Sequence, residues 1–99
     1  MVQPYTVPGN IERFTMTDVA TSSHRFVLSA EAIEFTSWAG HASEPPATPI
    51  HSWSYTGEDI PPPGDALMRF NLWLISGSAP QAGVGDEVVI RRFEYRPTP

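Results

Sequence analysis

With 99 residues, the chain has the length of one small domain, enough to bury a core without covalent staples. It has no cysteine, which excludes disulfides, thiolate metal sites and cysteine nucleophiles. A net charge of −5 with only six Lys plus Arg argues against a nucleic-acid backbone as partner, because that binding needs clustered cations.

Eleven prolines beside three tryptophans, five phenylalanines and three tyrosines point to an all-β domain with long proline-rich connections. The first candidate strand is VQPYTV (2–7), in which Gln3 and Tyr5 share a face. The turn signal PGN (8–10) leads to ERFTM (12–16), and HRFVLS (24–29) is joined to AIEFTSW (32–38) through SAEA (29–32). After PPATP (45–49) comes IHSWSY (50–55), with His51, Trp53 and Tyr55 on one face and Ile50, Ser52 and Ser54 on the other. Such an aromatic-and-imidazole face reads as core, or as cover for a neighbouring loop, in preference to a sugar platform.

The proline run PPPG (61–64) precedes ALMRFNLWLI (66–75). Here Met68, Phe70, Leu72 and Leu74 form a core face, while Arg69, Asn71 and Trp73 give the opposite face a polar and aromatic character. SGSAPQAGVGD (76–86) then leads to DEVVIRRFEYR (86–96), apolar on both faces and so either sandwiched or bulged near Arg91 and Arg92. No window of useful length holds a helical period, and no repeat or boundary divides residues 1–99, so a single domain is expected.

Chemical motifs are sparse. His24, His41 and His51 have no metal-ligand spacing, and no G-x-S-x-G nucleophile elbow occurs. GVGDE (83–87) opens a strand after a loop, the reverse of a dinucleotide fingerprint. The neighbouring acids (Glu31 and Glu34, Glu58 and Asp59, Asp86 and Glu87) are an odd number of positions apart, so none puts two carboxylates on one strand face. No catalytic residue, metal or cofactor is expected.

Residues 22–40, SSHRFVLSAEAIEFTSWAG, resemble a strand pair of the family 16 glycoside hydrolases. His24, Phe26, Leu28, Ile33, Phe35 and Gly40 occupy matching positions, whereas the family's tryptophan is leucine here and its aspartate is missing. FNLWLISG (70–77) resembles the family's N-L-W strand, EVVIRRFEYRP (87–97) its closing strand, and VQPYTVPGN (2–10) the strand following the catalytic one. A W-x-Y-T-G-x-x-I-P-P-P loop is also shared with bacterial members, here Trp53, Tyr55, Thr56, Gly57, Ile60, Pro61, Pro62 and Pro63.

The resemblance implies the C-terminal half of a concanavalin A-like jelly roll, an antiparallel sandwich completed by dimerisation. The family's hydrolysis needs two carboxylates on an E-x-D-x-(x)-E strand, and the chain has no such strand, so it is expected not to be an enzyme. Asn71 and Trp73 match cleft-facing positions of the family, with Arg69 beside them and Gln3 and Tyr5 bordering the same groove. The expected function is non-catalytic carbohydrate binding, with an oligo- or polysaccharide as ligand. The alternative is a homodimeric interaction module with the former cleft buried, and a new enzyme site formed between protomers ranks third.

No run approaches the length of a membrane helix, and MVQPYTVPGN lacks a basic and an apolar leader region. A cytoplasmic protein without membrane contact is therefore expected, although the resembled family is often secreted.

Overall fold

Alternation of apolar and polar residues produces strands where a short turn brings a second alternating segment alongside. The computed structural model describes residues 1–62, 64, 67–73, 75–81, 83–85 and 87–97. Within them, β1 (Ser22–Leu28), β2 (Ile33–Ala39) and β3 (His51–Tyr55) form one antiparallel sheet in the order β1-β2-β3. The protein is all-β, as composition suggests, and the three central expected strands are present with shifted ends. Among the described residues there is no α-helix, only a 3-10 turn over Ile75–Gly77. No helix among them is long and apolar enough to cross a membrane.

Ser29 closes the β1–β2 hairpin. Its N–H donates to the Ala32 carbonyl at 2.9 Å, and its Oγ accepts from the Ala32 N–H at 3.0 Å. This side chain-to-backbone bonding is the usual reason serine favours turns. At the far end of β2, Gly40 takes φ +83°, a left-handed conformation open to glycine without steric cost. The connection it starts folds back so that the Trp38 indole N–H donates to the Ala42 carbonyl at 3.1 Å. Trp38 is thereby buried on the face opposite the main core.

The chain divides into two compact units, residues 1–64 and 65–99. In the first, Val2, Ile33 and Tyr55 are buried together, with Leu28, Phe35, Trp53 and Ile60 packed against them. Residues 2–7, expected as a strand, form turns instead. Pro4, Pro8 and Gly9 favour turning, and the Val7 N–H bonds the Pro4 carbonyl while the Asn10 N–H bonds that of Val7. Residues 12–16 likewise join no ladder.

In the second unit, residues 67–73 and 87–97 lie outside any strand, contrary to expectation. Their alternation finds no partner edge among the described residues, and a strand apolar on both sides needs cover on both sides. Phe70 and Phe93 meet edge to face with ring centroids 5.5 Å apart. Ala66 and Leu74 of the first expected strand, Asp86 of the second and Pro63 of the proline run lie outside the described residues.

Candidate functional site

The sheet register sorts one face of the first unit into three rows. Buried Ile33 and Tyr55 with half-buried Leu28 make the core row, Phe26, Phe35 and Trp53 the middle row, and His24, Ser37 and His51 the polar row. The middle row is aromatic throughout. Phe35 stacks on Trp53 at 5.0 Å between centroids, and Phe26 lies 6.3 Å from Phe35 at a tilt. Offset and edge contacts of this kind add to simple burial. The row runs from the half-buried Trp53 to Phe26, which is 53% exposed.

The polar row is tied up by hydrogen bonds. His24 Nδ1 and Ser37 Oγ are 2.8 Å apart, and His24 Nε2 and Ser22 Oγ are 2.9 Å apart. His51 Nε2–H donates to Glu12 Oε2 at 2.9 Å, while Phe14 lies flat on the same imidazole at 4.6 Å and 9°. Glu12, Phe14, His24, Ser37 and His51 line a groove of about 190 Å³ together with Phe35 and Trp53. The Met1 amine also borders it, and burial lowers its pKa below the usual value.

A second concavity, about 390 Å³, lies between residues 7–10 and 53–59. Asn10 is buried at its base, with Nδ2 donating to the Pro4 carbonyl at 3.0 Å and to Asp59 Oδ2 at 2.8 Å. Tyr55 Oη accepts from the Asp59 N–H at 3.1 Å. The Tyr-Thr-Gly-x-x-Ile loop follows from this packing. A Cβ on Gly57 would sit inside the van der Waals envelope of the Tyr55 ring, so only glycine lets the loop pass.

The expected alternation of His51, Trp53 and Tyr55 against Ser52 and Ser54 is observed. The core reading of that face holds for Tyr55, while Trp53 is half-buried and His51 is reached by Glu12 and Phe14. Gln3 and Tyr5 do come together, with the Tyr5 N–H donating to Gln3 Oε1 at 3.0 Å. They do so in an exposed turn, so the expectation that they share a strand face is corrected. Arg69, Asn71 and Trp73 are all exposed, Trp73 at 81%, in a segment that forms no strand. Among the described residues no three His, Cys, Asp or Glu gather as a metal site.

Glu12, Phe14, Asn10 and Asp59 join the two concavities without any motif in the sequence that assigns them there. The partners of His51 and Asn10 lie 39 and 49 positions away, so no local spacing announces them. The PGN turn was the one available signal, since it marks Asn10 as a turn residue. The chain matches no family model, no curated protein and no solved structure.

Proposed function

We propose that this chain is a non-catalytic β module that binds carbohydrate weakly through the aromatic face of its sheet. The observation that carries this reading is the row Phe26–Phe35–Trp53 beside the polar row His24–Ser37–His51. A sugar ring offers C–H faces for aromatic stacking, and its hydroxyls can use the remaining bonding capacity of Ser37 Oγ or take the place of Glu12 at His51 Nε2. The resemblance to family 16 glycoside hydrolases adds support, because residues 22–40 that carry it are the β1–β2 hairpin presenting this face. A platform of this size corresponds to micromolar-to-millimolar affinity, roughly 4–8 kcal/mol.

Titration with laminari-oligosaccharides tests the proposal. Phe26→Ala removes an exposed ring, and we expect it to weaken binding while leaving the fold intact. Trp73→Ala tests the other sugar-facing set that the resemblance suggests, Asn71 and Trp73 with Arg69. A broad glycan array without any binding would remove the carbohydrate reading. Hydrolysis assays on β-glucans and galactans are expected to give background rates, and turnover abolished by Glu34→Gln would overturn the non-catalytic reading.

A second reading, a homodimeric module completing a jelly-roll-like sandwich, is favoured by the apolar surface of the second unit. Leu67, Leu72, Trp73, Val88, Val89 and Tyr95 are 63–81% exposed. Such surface invites association, and a two-fold contact of about 1,200–2,000 Å² would bury it. Sedimentation equilibrium at micromolar concentration decides between a dimer and a monomer whose melting temperature ignores concentration.

A further inference from the structure

We propose that residues 11–17 form an autoinhibitory strap across the His51 end of the aromatic groove, latched by Glu12 and Phe14. The segment is fixed at one end by Asn10, which is 2% exposed, holds Asp59 and Pro4 through its side chain, and accepts from the Val2 N–H at 2.7 Å. Beyond the other end, Asp18 takes a left-handed φ of +56° before the chain enters β1 at Ser22. Between these points residues 11–17 belong to no ladder. Glu12 and Phe14, two positions apart, both reach His51, and Arg13 between them is exposed.

The latch copies what a sugar would do. A flat ring on the imidazole face and an oxygen at Nε2 are the contacts that a pyranose and one of its hydroxyls would make at the same place. The latch is also shallow, because the His51 and Glu12 side chains remain 24% and 41% exposed. Partly solvated pairs hold a segment only weakly. A ligand that extends from Phe26 past Trp53 therefore displaces the strap instead of meeting a fixed wall. The ligand part of this inference rests on the carbohydrate reading; the latch itself does not.

The full-length double variant Glu12→Ala/Phe14→Ala tests both parts. Without ligand, trypsin should cut after Arg13 about three- to tenfold faster than in the parent, as loss of one weak polar and one aromatic contact implies. Each rate is divided by that of a free peptide of the same sequence, because Glu12 and Phe14 flank the cleaved bond. Cleavage after Arg25, within β1, should stay unchanged. Equal rates at Arg13 would overturn the strap, and so would a parallel rise at Arg25, which would make the segment part of the sheet's own fold. With laminarihexaose, the double variant should bind tighter by a similar factor. Faster cleavage with unchanged affinity would remove the inhibitory role. Absence of binding by both proteins would retire the carbohydrate reading and the inhibitory role with it, leaving the Arg13 rate to judge the latch alone.

Discussion

Residues 1–64 and 65–99 are both rich in aromatic residues, and both contain segments of alternating polarity. In the first unit, alternation becomes a sheet, because the Ser29–Ala32 turn delivers β2 to β1 and the apolar residues fall on a face with cover. In the second, residues 67–73 and 87–97 alternate or run apolar without a ladder, and their large side chains stay exposed. Alternation is thus a statement about faces. It yields a strand only where another backbone supplies hydrogen bonds and another layer supplies cover.

The sharpest way to break this contrast is to truncate one apolar residue in each unit. Ile33→Ala removes a buried side chain from the core and should cost about 2–4 kcal/mol in urea unfolding. Leu72→Ala alters a residue 63% exposed and should change stability by no more than about 0.5 kcal/mol. Equal losses would mean that the second unit is covered after all, by a partner in solution.

Glycine substitutions refine the comparison at smaller magnitude. Gly57→Ala drives a methyl group into the Tyr55 ring and should destabilise by about 1–3 kcal/mol. At Gly85 an added Cβ meets nothing within 4 Å, so Gly85→Ala should be close to neutral. Thermal melts of the two variants in parallel check the difference.

The three central strands and the two faces of β3 were legible because their alternation is local, and because a short turn joins β1 to β2 while glycine and prolines mark the longer connection from β2 to β3. The turns at 2–7 were hidden by apolar residues that imitate a strand, although Pro4, Pro8 and Gly9 mark the turning chain. The groove was half legible. His51 and Trp53 could be placed on a common face, but the partners of His51 come from a distant segment without periodic signal.

The smallest expected effect concerns Glu94. The hydrogen bond from Arg96, reinforced by the charges of Arg96 and Arg92, holds its carboxyl below the usual 4.5 despite an opposing desolvation effect. A depressed folded-state pKa contributes stability above the unfolded-state value, and that contribution is lost as pH falls through the folded value. The carboxyl is solvent-exposed, so global stability should hardly respond. Arg96→Ala should move the Glu94 carboxyl resonance titration upward by NMR, and an unchanged curve would show that the pair does not persist in solution.

The most direct test of a sugar-binding sheet face is an NMR titration of the full-length protein with laminarihexaose, following aromatic and backbone resonances. Binding at this face predicts shifts concentrated on Phe26, Phe35, Trp53 and His24, with Trp73 unmoved. Shifts confined to Arg69, Asn71 and Trp73, or none at millimolar oligosaccharide, would contradict it.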